Sequence, residues 1–274
     1  MTELALMSLR ITAITTTLAL LAGCAARPPL RVNAGFHDRL GSVESVVLVP
    51  PDVRMYRTAA GKPEFEAEWS KVAQDNLAQA MTGRSLTKLG FALKQCDLAQ
   101  SPPAQEELQD AQRLFEAVVI SVLTHTCGGE RCPESMLPTK NQRFEYSLGP
   151  LPALAQAAGT DVLLFVYARN RIPSQGEFTA NVMIGALALG AGMAASRFGA
   201  PAFWLAIGSL PATPAVVTAA LVDARTGDIL WFKFVVPRFS YPDLRDPVVV
   251  EGYAADAFEA LEAAVSARSP QSRK

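Results

Sequence analysis

Histidine is nearly missing from this chain: there are 2 in 274 residues, His37 and His125. A Ser–His or Cys–His nucleophile pair would have to use one of them, and neither stands at the end of a strand pattern. Missing too are a Gly-rich phosphate loop, a Gly-x-Ser-x-Gly elbow and a His-Glu-x-x-His helix. Neither sign of charge is in excess, with 25 basic against 26 acidic side chains and a net charge of −1. That balance argues against a nucleic-acid grip, which needs clustered Lys and Arg. What the chain has in quantity is apolar side chains, 50% of its residues, too many for a disordered polymer. The expectation is a folded, non-enzymatic protein with no cofactor, no metal and no small-molecule substrate. Its length suits one large domain or two small ones.

The amino terminus carries the strongest signal. Arg10 precedes the apolar run Ile11–Ala22, ITAITTTLALLA, and Gly23-Cys24 closes it. An apolar run of about 7–15 residues behind a positive charge reads as a secretory signal, because a membrane span needs about 20. Met7 is an alternative start to Met1; it gives the more basic lead MSLR and removes Glu3. Small side chains at Ala22 and Gly23 let the chain enter a peptidase cleft. Leu21-Ala22-Gly23-Cys24 resembles the lipobox of bacterial lipoproteins. The resemblance implies that residues 1–23 are removed, and that Cys24 becomes the first mature residue, carrying a diacylglycerol on its thiol and a further acyl chain, such as palmitate, on its amine. Several acyl chains together anchor stably where one does not. Ala25 rather than Asp follows the cysteine, which resembles the outer-membrane sorting class of enteric lipoproteins. Residues 24–40 then read as a lipidated tether, 41–268 as a periplasmic body and 269–274 as a disordered tail.

With Cys24 lipidated, Cys96, Cys127 and Cys132 remain. The compartment beyond the inner membrane is oxidising, so one pair is expected and one thiol is left over. Cys127-Gly-Gly-Glu-Arg-Cys132 closes a tight loop that its glycines permit, and this pair is favoured over a bridge to Cys96. His125 stands two residues before Cys127, but three ligands at irregular spacing make a poor metal site.

Periodicity supplies the body. Glu44–Pro50, ESVVLVP, reads as a buried strand, and Asp52–Gly61 as a polar turn region. Pro63 opens a helix with Trp69, Val72, Ala73, Leu77 and Ala80 on one face. Phe91–Cys96 is a second strand, so the unit reads as a strand–helix–strand crossover. Pro102-Pro103 opens a helix with the stripe Leu108, Ala111, Phe115, Val118, Val119 and Val122. A polar insert follows to about Tyr146, then a short helix over Leu148–Ala158 that ends at Gly159. Asp161–Ala168, DVLLFVYA, is apolar throughout and so central in the sheet. Val216–Val222 and Ile229–Val236 form a hairpin about Asp223–Asp228, with Gly227 free to take positive φ. Val248–Ala267 is the closing helix. The fold class is therefore α/β, a single three-layer-like domain. Its mixed sheet is flanked by helices and ends in a hairpin and a C-terminal helix.

An Ala/Gly-rich apolar insertion occupies 180–210, with no acid and one base, Arg197. Gly185, Ala188, Gly192 and Ala195 stand at helical spacing, which permits close helix contact. Helices packed on the body, a partner or membrane-surface contact, and a true span are the three alternatives, although Arg197, Gly199 and Pro201 interrupt the run. Trp204, Gly192 and Ala188 are the candidate partner-contact residues. Trp69 and Trp231 read as core. Asp223 and Asp228 are explained by turn chemistry, with Arg225 solvated at the tip. Asp243, Arg245 and Asp246 read as a salt bridge or helix cap.

The order of elements, carried by ESVVLVP, LGFALKQC, AGTDVLLFVYA and LVDARTGDILW, resembles small α/β envelope domains. These are the amino-terminal domain of TolB and the curli-secretion lipoprotein (CsgG-like) family. FEYSLGP, TDVLLFVYAR, LVDARTGDILWF and DLRDP resemble uncharacterised proteobacterial lipoproteins. The likeness implies an outer-membrane-anchored periplasmic protein that binds an envelope partner or assembles with itself. Two alternatives stand beside it: a membrane-inserting or pore-associated assembly factor using 180–210, and an envelope hydrolase. No pair of alternating membrane strands of the curli-secretion kind is evident.

Overall fold

The computed structural model describes residues 30–41, 43–59, 62–84, 89, 91–125, 143–173, 215–235 and 242–267. Among these, the strands are β1 (Leu30–Val32), β2 (Ser45–Leu48), β3 (Asp52–Ala59), β4 (Lys62–Phe65), β5 (Ala92–Gln95), β6 (Val162–Pro173), β7 (Val216–Asp223) and β8 (Ile229–Val235). The helices are α1 (Phe36–Leu40), α2 (Ala67–Thr82), α3 (Pro102–His125), α4 (Pro152–Ala158) and α5 (Pro247–Ser266). They form one mixed sheet in the order β1-β8-β7-β6-β2-β5, with β3 also on β6 and β4 on β3. The α/β class, the hairpin and the closing helix are as the sequence predicts.

β6 is the spine. Its first seven residues are all buried, the pattern of a central strand covered on both faces. One edge pairs antiparallel with β7 over Val162–Arg169. The other edge is shared in sequence: β2 pairs parallel at Leu163 and Leu164, and β3 pairs parallel from Tyr167 to Pro173. The changeover falls at Pro50-Pro51, which have no N–H to give the ladder. The Pro50 carbonyl is turned to α3 instead, where Gln112 Nε2 donates to it at 2.8 Å.

Alternation along these strands builds two cores. One face carries Val46, Leu48, Met55, Val162, Leu164, Val166, Leu221 and Trp231, covered by Leu77 and Met81 of α2 and by Val250, Ala254, Phe258 and Leu261 of α5. The opposite face carries Val47, Leu163, Phe165, Tyr167, Val222 and Phe232. It is covered by Leu108, Phe115, Val119 and Val122 of α3 and Leu154 of α4. The Phe115 and Phe165 rings meet at 5.6 Å between centroids.

Four expectations are corrected. The tether expected over 24–40 is folded from Leu30 onward. β1 pairs with β8, and Phe36, fully buried, seats α1 in the first core, because apolar residues at 36 and 40 lie on one side of a helical turn. The polar turn expected over Asp52–Gly61 is largely a strand, since Val53 and Met55 point into the core while Asp52, Arg54 and Tyr56 point to the opposite face. Pro63 sits in β4, an outer strand where a missing N–H is tolerated, and the helix starts at Ala67. Its buried face is consequently shifted to Ser70, Ala73, Leu77, Ala78 and Met81, leaving Val72 47% exposed. The short helix likewise starts at Pro152 rather than Leu148, because Leu148 and Leu151 donate their N–H groups across to Gly227 and Ala224.

Candidate functional site

Of the residues singled out from sequence, Cys24, Cys127, Cys132, Ala188, Gly192 and Trp204 lie outside the described residues. Cys96 is a buried free thiol, raised above its ordinary pKa by burial and by Asp97. His37 packs edge-on against Phe36 with ring centroids 5.0 Å apart, a packing use. Among the described residues no cluster of His, Cys, Asp or Glu is arranged to hold a metal, and no helix is long and apolar enough to cross a membrane.

The charged residues near the hairpin and before α5 fall into structural roles. Asp223 is buried in the turn and accepts from Arg39 Nε at 2.5 Å, while Arg39 also reaches Asp161 at 3.1 Å. Arg225 is 58% exposed beside the same carboxylates at 3.6 Å. Asp228 accepts from the Thr226 hydroxyl within the turn. Asp246 caps α5 by accepting from Val248 N–H at 2.9 Å, and Asp243 holds Arg245 at 2.6 Å. Arg245 in turn lies 4.0 Å over the half-buried Trp69 ring, a cation–π contact. Trp231 is core, as expected, and its indole N–H has no partner among the described residues.

A different cluster emerges where β3 and β6 run on together past the level of β2. Register places Asp52, Arg54, Tyr56 and Thr58 of β3 beside Tyr167, Arg169, Arg171 and Pro173 of β6, with Phe65 of β4 beside Tyr56. Paired residues point to the same side of a sheet, and Tyr167 belongs to the core beneath α3, so this row lies on the α3 face. At its lower margin the charges are matched. Arg54 Nη1 meets Glu116 of α3 at 2.7 Å, and Arg54 holds Asp52 at 3.0 Å. Tyr167 donates its hydroxyl to Glu116 at 2.9 Å. Burial, reinforced by that hydrogen bond and charge, holds the Tyr167 phenol protonated well above its usual range.

Beyond Glu116 the matching stops. The Arg169 guanidinium lies 5.0 Å over the Tyr56 ring, and its Nε is buried without a hydrogen-bond partner among the described residues. Neither Arg169 nor Arg171 has a carboxylate partner among the described residues. Burial and then the neighbouring charge of Arg169 lower the pKa of Arg171. The hydroxyls of Thr58 and Thr218, both buried on this same face, are also without partners among the described residues. Two guanidinium groups without a carboxylate partner among the described residues, set beside aromatic rings, have the donor geometry that suits an anion.

Sequence reasoning missed this cluster. Its trace is the period-two pattern DVRMY in β3 and YARNR in β6, each alternating a large polar or aromatic side chain with a small or apolar one. Comparison of the chain with protein-family models, curated proteins and solved structures finds no match in any of the three.

Proposed function

We propose that this chain is an outer-membrane-anchored periplasmic lipoprotein with a binding or assembly role and no catalytic one. The observation that carries the reading is the leader, in which Arg10, the apolar run and Ala22-Gly23 converge on Cys24. The fold supports it, because the first described strand, β1, starts at Leu30, only a few residues after Cys24. A chain that short reaches at most about 20 Å, so acylation at Cys24 would hold the sheet close to the bilayer.

The test is acyl labelling of cells grown with and without globomycin, an inhibitor of the lipoprotein signal peptidase. The expected outcome is lipid on the wild-type protein, none on Cys24→Ala, and a larger precursor under the inhibitor. A protein whose size and membrane partitioning do not change in any arm would overturn the reading.

A second reading, membrane contact through 180–210, is favoured by connectivity. The chain leaves β6 at Pro173 and rejoins β7 at Val216, the same end of the sheet from which β1 enters. Both interpretations predict a body held against lipid.

A further inference from the structure

β1 fixes which end of the body faces the anchor. Leu30 pairs with Lys233, which is level with Ala219 and through it with Val166, whereas Val32 lies lower, level with Trp231, Leu221 and Leu164. β1 therefore descends into the sheet from the end at which β6 rises to Pro173. That is the end bearing Tyr56, Phe65, Arg169 and Arg171. Three interstrand spacings separate β1 from β6, about 15 Å, which is within the reach of the link to Cys24.

We propose that the β3–β6 end is a membrane-docking surface. Arg169 and Arg171 would engage the phosphates of anionic lipid headgroups, with Tyr56 and Phe65 at the interfacial level. The charge argument is local. On this face Asp52 and Glu116 are committed to Arg54, and on the other face Glu64 and Glu66 are committed to Arg57. Arg169 and Arg171 are left without a counter-ion among the described residues. Planar guanidinium forks match phosphate oxygens, and an exposed Phe65 (57%) beside Tyr56 suits the amphipathic headgroup zone. The inference rests on the lipoprotein reading only for the orientation, not for the binding chemistry.

The test is hydrogen exchange on the purified full-length lipoprotein, bound to vesicles of phosphatidylcholine alone or mixed with phosphatidylglycerol. Exchange over Arg57–Phe65 and Arg169–Pro173 slows on the anionic vesicles, reverts with added salt, and stays fast in the Asp223–Asp228 turn at the far end. Arg169→Gln and Arg171→Gln each weaken vesicle binding roughly fivefold, and the pair about 25-fold. Far-ultraviolet circular dichroism and the unchanged exchange of α5 show that the variants fold. Equal protection on neutral and anionic vesicles, protection of the far turn instead, or the same protection by inorganic phosphate without vesicles would overturn the proposal. Mass spectrometry of the Cys24 peptide separates the two readings. An unacylated protein that still sediments with anionic vesicles keeps the docking surface and removes the anchor. An acylated one whose β3–β6 end exchanges freely keeps the anchor and removes the docking surface.

Discussion

Arg39 in the first helix donates to Asp223 at the far corner of the sheet, Nε to Oδ2 at 2.5 Å, across 184 positions of sequence. Asp223 is 5% exposed, and Arg39 makes its shortest ion pair. Arg39→Ala is expected to destabilise the body by about 1–3 kcal/mol, because it leaves the buried carboxylate only the longer contact from Arg225 and one backbone N–H. Arg39→Lys recovers only part, lacking the fork that also reaches Asp161. Urea unfolding of the two variants measures both.

Gly227 and Gly159 make a matched pair of backbone tests. Both have positive φ, at 78° and 64°. A Cβ on Gly159 meets nothing within 4 Å, while one on Gly227 would fall 2.0 Å from the Gly149 carbonyl oxygen. Gly159→Ala should therefore cost about 1 kcal/mol from conformation alone. Gly227→Ala adds displacement of the 147–151 segment and should cost about 3 kcal/mol or more. Comparable thermal shifts for the two would contradict this account.

Acid weakens the junction before α5. Burial works against ionisation of Asp243, but the hydrogen bonds and charge of Arg245 outweigh it and hold the carboxyl below its ordinary pKa. A depressed folded-state value stabilises the protein at pH above the unfolded value, about 3.9, and that stabilisation is lost as pH falls through the folded value. Asp243→Asn should therefore lower stability at pH 7 and make little difference at pH 2. Denaturant midpoints at the two pH values check it.

Cys96 should be chemically silent in the native protein. It is 8% exposed and its thiol is raised in pKa, so little thiolate is available. Iodoacetamide at pH 8 is expected to leave Cys96 unmodified over hours and to label it promptly in urea, read by peptide mass mapping.

What was legible in the sequence is what carried a sustained period. The seven buried residues opening β6, the Leu108–Val122 stripe of α3 and the 216–235 hairpin announce themselves, because burial on a face imposes its spacing on the chain. β1 and α1 do not, since three and five residues are too few to show one. β3 was hidden by its own chemistry. Asp52, Arg54 and Arg57 look like turn residues until β6 is seen beside them, and proline at 63 looks like a helix start until β3 is seen to hold it. The arginine cluster was unreadable for a related reason. Arg169 and Arg171 follow an apolar run and seem merely to end it, while the Tyr56 ring beneath Arg169 comes from more than a hundred residues away.

The way β1 is attached has a mechanical consequence. Its three pairs with β8 lie at the edge of the described sheet, so a pull on the chain ahead of Leu30 directed across the strand, away from β8, loads them one after another rather than together. Under tension this margin would peel like a zipper at low force. Resistance would begin where the Phe36 ring is seated in the core and Arg39 is clamped to Asp223. The first strand is thus a short slack that can be paid out while the rest of the domain stays intact.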